Sequence, residues 1–405
     1  MSHYTWSDMN IAENGSHLDP KPVPEIIVPD GIDINVLSGA EITSAIITEV
    51  VEFINQYNTL PSGNISRLSK ELLISFAQND AGIVISRNTK QSIIGVLIGY
   101  ITSLKTGELD YATQPLLPCS SSSSGPIASS SHTDDDENDL SGIFSLDEPL
   151  QPVQKCYYVN YLCVLPSYRR QSLAMMLIRR ALMYARSHDI LLGYYLTAKP
   201  HHREAFPIKA WFRPLDYVKS VKAGFVTTTT THGRNLNRER ILHELRSSAE
   251  YSVERIVTVD SLPLLHRELK SAEIAYYPDE ATWFQNIKNM PFFHIYRRGE
   301  IIGFAMISNN TFQISSSGNI ITISHLGFLK FISTTSFEQR LQALKALGIK
   351  AKSMGGVVLC GYNIGDMDEK LSSSFKCYQT VASRYLEIYN FSTPLHLDRC
   401  YPILF

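Results

Sequence analysis

The chain has no Cys-x-x-Cys pair, no long apolar run and no excess of charge of one sign. Its six cysteines (Cys119, Cys156, Cys163, Cys360, Cys377 and Cys400) are scattered through 405 residues. That usage argues against a disulfide framework or a thiolate metal site, and for reduced, mostly buried thiols in a cytosolic protein. No apolar stretch approaches the roughly 20 residues a helix needs to cross a bilayer, so no stable membrane insertion is expected. The opening residues, MSHYTWSDMN, lack the charged start and apolar middle of a signal peptide. Lys+Arg (37) and Asp+Glu (39) nearly balance, for a formal charge of −2. Such a chain has no global attraction for nucleic acid or anionic lipid, and any site for a polyanion must be local.

What is present is the composition of a globular protein, with 44% hydrophobic residues, on a chain too long for one small core. One segment departs from it. Residues 119–142 read CSSSSSGPIASSSHTDDDENDLSG, Ser-rich and then acidic. Such a segment buries too little apolar area to offset its ordering entropy, and a disordered surface insertion over 118–150 is expected.

The remainder carries a faint internal echo. GIVISRNTKQSIIGVLIGYI (82–101) reads as two strands around a polar turn, the second opening Ile93-Ile94-Gly95. FFHIYRRGEIIGFAMIS (292–308) repeats the plan, with Ile301-Ile302-Gly303. Each hairpin is followed by a further strand and a helix, Tyr157–Leu165 and the segment after Arg170 in one case, 319–329 and 336–351 in the other. In the latter helix Phe337, Leu341, Leu344 and Leu347 share one face. Two copies of hairpin–strand–helix point to a duplicated α/β unit.

The junction NYLCVLPSYRRQSLAMMLIRRAL (160–182) concentrates the chemistry. Tyr157–Val164 is a continuous apolar, β-branched run suited to a strand buried on both faces. Beyond Pro166, the residues Ala174, Leu177, Ile178, Ala181, Leu182 and Ala185 recur at helical spacing, which puts the first helical turn at about Arg169–Ser172. Unpaired amides and the helix dipole favour an anion there, and two guanidinium groups would complete a diphosphate site. A solvated, arginine-bearing helix start is the other reading of the same residues.

The pattern Arg169-x-x-Ser172-x-Ala174 resembles the CoA-binding junction of GNAT-type acyltransferases, Arg-x-x-Gly-x-Ala, with Ser in place of Gly. The wider stretch VNYLCVLPSYRRQSLA resembles the N-myristoyltransferase signature E-I-N-F-L-C-V-H-K-K-L-R-S-K-R-(L/V)-A, matching Asn160, Leu162, Cys163, Val164, Arg169 and Ala174, with Tyr161 for Phe. Further likenesses follow in order: YYLTAKP, with Thr197 and Ala198; AWFRPLD, with Trp211, Arg213 and Leu215; and LEIYNF, with Tyr389 and Asn390. Two departures stand out. The family's G-x-G-D-G before the last of these is absent, and the His of its YWHR is Phe212.

The resemblance implies an α/β fold of two fused GNAT-like halves, 1–215 binding acyl-CoA and 216–405 binding a peptide. It implies transfer of myristate from myristoyl-CoA, a co-substrate, to the N-terminal glycine of proteins or nascent chains, by a cytoplasmic monomer, with no metal and no permanently bound cofactor. The oxyanion donors are then the backbone N–H groups of Tyr161 and Leu162, and the base is the carboxylate of Phe405. Thr197 serves as a polar partner in catalysis. CoA would lie against Tyr4, Thr5 and Trp6, against Tyr161, Leu162, Cys163 and Val164, and against Arg169, Arg170, Gln171, Ser172, Leu173 and Ala174. The acceptor would meet Asn160, Thr197, Tyr389 and Asn390. A short-chain GNAT N-acyltransferase and a non-catalytic acyl-CoA- or peptide-binding protein on the same fold remain alternatives.

Overall fold

The structure, a computed structural model, describes residues 27–59, 65–77, 81–106, 153–190, 192–197, 205–226, 241, 243–389 and 396–404. The expected insertion at 118–150, the Tyr4-Thr5-Trp6 segment, Asn390 and Phe405 lie outside the described residues. In chain order the elements are β1 (Ile32–Ser38), α1 (Ser44–Tyr57), β2 (Ile65–Arg67), α2 (Lys70–Ala77), β3 (Ala81–Asn88), β4 (Ile93–Thr106), β5 (Val153–Val164), α3 (Leu173–Ser187), β6 (Leu192–Thr197), β7 (Phe206–Pro214) and α4 (Tyr217–Lys222). They continue with β8 (Tyr251–Arg255), α5 (Leu262–Glu268), β9 (Ile274–Tyr276), α6 (Glu280–Asn289), β10 (Phe292–Arg297), β11 (Glu300–Gln313), β12 (Ile320–Phe331), α7 (Phe337–Ser353), β13 (Val358–Tyr362), α8 (Glu369–Ser374), β14 (Tyr378–Tyr389) and β15 (Cys400–Tyr401).

The internal echo is real, and it extends to irregularities. The hairpin β3–β4 leads into β5, then α3, then β6 parallel to β5. The hairpin β10–β11 leads into β12, then α7, then β13 parallel to β12. In each hairpin the register slips at the middle isoleucine of Ile-Ile-Gly. Ser86 pairs Gly95 and Arg87 pairs Ile93, leaving out Ile94; Ile295 pairs Gly303 and Tyr296 pairs Ile301, leaving out Ile302.

A second pair of bulges lies one strand further on. In β5 Asn160 is left out between Val159 and Tyr161, and in β12 Gly327 is left out between Leu326 and Phe328. Each bulge falls just past the residues that pair with the parallel strand, so each marks where that strand departs. A bulge adds local twist and bends its strand, which opens the sheet at that point.

The two units join in one sheet of order β1-β3-β4-β5-β6-β14-β7-β13-β12-β11-β10-β8. Between β6 and β13 the chain exchanges strands, since β14 pairs β6 and β7 pairs β13. The helices dock by the apolar faces that the spacing predicts. In α3, Leu177, Ile178, Ala181 and Ala185 are buried, as are Leu344 and Leu347 in α7. The latter helix starts at a capping box, with Ser336 and Gln339 satisfying each other's backbone amides.

Candidate active site

A cavity of about 820 Å³ opens where β6 leaves β5 and continues beneath the β7–β13–β12 part of the sheet. One wall is a stripe of α3 made of Ala174, Met175, Ile178, Ala181, Leu182, Ala185 and Arg186, and the opposite wall includes Tyr157, Leu192 and Tyr194. Three alanines on that stripe keep the helix surface low, which leaves a groove rather than an interdigitated contact. At 1.5 Å per residue, Ala174 to Ala185 spans on the order of 16 Å. The other end is polar, lined by Asn160, Thr197, Asn310, His325, Tyr362 and Arg384.

The bulge at Asn160 decides what the β5 backbone offers. Leu165 donates to the Ile94 carbonyl at 2.9 Å, so alternation along an antiparallel pair turns the backbone groups of Leu162 and Val164 to the other edge. The Val164 carbonyl confirms this orientation by accepting from Arg169 Nε at 3.0 Å. On that edge β6 pairs only Cys156–Val159. The Leu162 amide therefore faces the gap between diverging strands, a position from which it can donate to an oxyanion. Tyr161 and Leu162 both line the cavity, but the same alternation turns the Tyr161 amide toward Ile98 of β4, away from the edge where Leu162 could serve as the oxyanion donor that the resemblance implies.

The turn before α3 differs from the sequence expectation. A 3₁₀ turn over Pro166–Tyr168 comes first, and α3 begins at Leu173 rather than at Arg169. Arg170 (φ 64°) and Ser172 (φ 61°) both adopt left-handed backbone conformation, and α3 carries no acidic residue in its first turn and no side-chain cap. Ser172 stands where the GNAT pattern has glycine. A side chain in this conformation costs about 1–2 kcal/mol, so the motif's glycine meets a backbone requirement that the serine meets under strain.

The two arginines separate in role. Arg169 donates Nε to Val164 and Nη2 to the Tyr57 carbonyl at 3.2 Å, so its guanidinium ties the turn to β5 and α1. Arg170 is exposed and makes no ion pair or side-chain hydrogen bond among the described residues, which leaves its guanidinium open to solvent at the helix start. Gln171 is held by its own side chain, Nε2 donating to the Ser167 carbonyl at 3.0 Å.

Of the other residues expected at the site, Ala174, Asn160 and Thr197 line the cavity, while Cys163, Val164 and Leu173 are buried in the core beside it. Burial pushes the Cys163 thiol up to about 11, against the pull of Arg169, so it is a packing residue and not a nucleophile. The β14 backbone brings Tyr389 opposite Gly193, and Thr197 opposite Tyr385. Phe212, which replaces the family's His, lines the cavity and stacks on Tyr378 with centroids 5.2 Å apart. Behind it, Tyr378 Oη meets His243 Nε2 at 3.0 Å.

The C-terminal segment returns to the far side of the cavity. Tyr401, Pro402, Ile403 and Leu404 are all buried. Leu404 N–H donates to the Gly327 carbonyl at 2.9 Å, at the second bulge. Tyr194 Oη donates to the Ile403 carbonyl at 2.9 Å. Tyr401 Oη donates to Asp366 Oδ1 at 3.2 Å, and Asp366 in turn lies 3.7 Å from both Lys330 Nζ and Arg340 Nη1. In the first unit the bulge faces an open cleft; in the second the chain's own tail fills the equivalent position.

His325 is the site residue that sequence reasoning missed. It lines the cavity from β12 and is 8% exposed. Burial holds its imidazole down to about 4, while its hydrogen bond to the Leu404 carbonyl pulls the other way. The only signal in the sequence was a histidine two residues before a glycine within the strand pattern ITISHLGFL. Among the described residues no group of three or more His, Cys, Asp or Glu could hold a metal ion, and no helix is long and apolar enough to cross a membrane.

Residues 55–206 match the model of the Acetyltransferase (GNAT) family. This segment is an acyltransferase domain of the GNAT type. It spans β2 to β6 and α3, and so contains the Asn160 bulge, the strand split and the turn before α3. No curated protein sequence matches the chain. Among solved structures, a Saccharomyces cerevisiae N-myristoyltransferase with bound myristoyl-CoA and inhibitors is similar with a TM-score of 0.71 at 13% identity, covering 98% of this chain and 93% of that one. A second structure of the yeast enzyme with bound myristoyl-CoA gives 0.69 at 12% identity, covering 95% and 88%. The shared fold extends over both units, and the chain is built of two GNAT-like halves.

Proposed function

We propose that the protein transfers a myristoyl group from myristoyl-CoA to the N-terminal glycine amine of peptides and proteins. The observation that carries this reading is the shape of the cavity. Its apolar groove follows the alanine stripe of α3 for about the length of a long acyl chain, and it joins a polar end beyond the Asn160 bulge. A short-chain enzyme has no use for that groove. The yeast structures of the same fold hold myristoyl-CoA.

The reaction needs no covalent enzyme intermediate. The amine nitrogen attacks the thioester carbonyl carbon, the oxygen becomes an oxyanion that the Leu162 amide can meet, and the C–S bond breaks. The amine loses one proton, and the departing CoA thiolate gains one. The resemblance gives proton acceptance to the carboxylate of Phe405, which follows the buried Leu404. Arg170 and the free amides at the start of α3 would hold CoA phosphate. In this reading the half up to residue 215 carries acyl-CoA and the half from 216 carries the acceptor, in a cytoplasmic monomer.

The test mixes purified protein with myristoyl-CoA and a peptide beginning Gly-Ser, following peptide mass and free CoA thiol together. One myristoyl group gained per peptide, and none when its Gly is replaced by Ala, is the expected result. Tight myristoyl-CoA binding without transfer would overturn it in favour of an acyl-CoA-binding protein. Acceptance of acetyl-CoA in preference to myristoyl-CoA would overturn it in favour of a short-chain acyltransferase.

A further inference from the structure

Two buried hydrogen-bond acceptors in the cavity have no partner among the described residues. They are Asn310 Oδ1 on β11 and His325 Nδ1 on β12. Both residues line the cavity, and they are 7% and 8% exposed. They are placed together by register. Asn310 pairs Ile323 and Ser308 pairs His325, so Asn310 and His325 share one face of the sheet as diagonal neighbours, about 7–8 Å apart.

The tautomer of His325 follows from its surroundings. Its imidazole hydrogen-bonds the Leu404 carbonyl, which can only accept, so the nitrogen directed there carries the hydrogen. A neutral ring has one N–H, which leaves Nδ1 as an acceptor. Asn310 Oδ1 is an acceptor by nature. An unpaired buried acceptor is costly in a folded protein and calls for a ligand or water that donates to it. Two of them on one face, at the polar end of an acyl groove, match a group with two or three N–H donors.

We propose that Asn310 Oδ1 and His325 Nδ1 form the subsite that receives the acceptor's amine, taking hydrogen bonds from its N–H groups and turning its lone pair toward the thioester. This inference rests on the transferase reading and names the residues that hold its nucleophile. His325 couples that subsite to the C-terminal segment, since one ring nitrogen meets the amine and the other meets Leu404. A primary amine has donors for both positions. An amine capped by acetylation has a single N–H and satisfies one at most.

The experiment compares wild type with His325→Phe and Asn310→Leu, which keep side-chain volume and remove the acceptors. Myristoyl-CoA affinity is expected to stay within about twofold, while KM for the Gly-Ser peptide rises at least tenfold in each variant. In parallel, the imidazole ¹⁵N resonance of His325 Nδ1 is followed in wild type loaded with a non-hydrolysable thioether analogue of myristoyl-CoA. Adding the peptide is expected to move that resonance toward its hydrogen-bonded position, and adding the N-acetylated peptide is not. Should either variant fail to fold, the wild-type resonance still decides. Transfer with unchanged KM in both variants, or a resonance that ignores the peptide because bound water already occupies Nδ1, removes the subsite and leaves the transferase reading standing. A resonance that responds while wild type transfers nothing removes the transferase reading and keeps the subsite.

Discussion

The hydroxyl of Tyr194 donates a 2.9 Å hydrogen bond to the carbonyl of Ile403, joining the wall of the cavity to the C-terminal segment across 209 residues of sequence. Tyr194 is itself wedged against Tyr158, ring centroids 4.5 Å apart, in the buried centre of the sheet. Because both groups are buried, the bond's value lies largely in what its loss would leave behind. Tyr194→Phe strands the Ile403 carbonyl without a donor and is expected to cost about 1–3 kcal/mol in a denaturant titration. An unchanged midpoint and slope would show that the segment is held by its other contacts alone.

Gly327 makes a sharper test of the same docking. A Cβ placed on it would stand 2.1 Å from the Leu404 carbonyl oxygen, a backbone atom that can move only if the segment moves. Gly327→Ala is therefore expected to expel the residues after Tyr401, abolishing transfer while myristoyl-CoA still binds. Hydrogen exchange at the Leu404 amide reads this directly. Retained protection together with retained transfer would sink the idea.

Ser172 offers a change in the opposite direction. Its φ of 61° is held without a side-chain cap bond, so Ser172→Gly removes the steric cost and restores the GNAT pattern. The gain is limited by the extra freedom glycine has when unfolded. A net stabilisation of about 0.5–1 kcal/mol is expected, visible as a raised melting temperature. A loss of stability would mean that the serine makes a contribution the turn geometry does not reveal.

Ala181 sets the depth of the groove. It is 1% exposed and lies on the α3 stripe between Ile178 and Ala185. Ala181→Leu fills the space that the acyl chain would occupy, at a penalty of about 1–3 kcal/mol for a long chain. Specificity measured as kcat/KM across an acyl-CoA series should shift by roughly 10- to 100-fold toward shorter chains. A uniform drop across all lengths would place the acyl chain elsewhere.

The buried histidines predict acid sensitivity with a definite sign. Burial holds His243, His294 and His325 each down to about 4, from an ordinary value near 6.5. Between these values the unfolded chain binds protons that the folded one does not, so stability falls as pH is lowered through that window. His325 alone could account for up to about 3 kcal/mol of that loss. Urea titrations at pH 7, 5.5 and 4.5 check it, and a flat profile across them contradicts the neutral state assigned to these rings.

Sequence patterns reached far into this protein because its fold is repetitive and its strands are buried. The paired Ile-Ile-Gly triplets marked matching hairpins, and the apolar run Tyr157–Val164, interrupted only by Asn160, suited an inner strand. The spacing of Ala174, Ile178, Ala181 and Ala185 fixed a helix and the face it turns to the sheet. Each of these is a local property, written in residues a few positions apart. Other features required the folded chain. That Arg169 spends its guanidinium on two backbone carbonyls depends on Tyr57, distant in sequence. The bulges at Asn160 and Gly327 depend on register against β4 and β11, which a single strand does not specify. The approach of Asn310 to His325 depends on the register of β11 against β12, and that of Leu404 to the second bulge on the docking of the segment after β15. Local spacing determined the elements; long-range register alone brought together the polar end of the cavity, because hydrogen bonds across a sheet couple residues that the sequence keeps far apart.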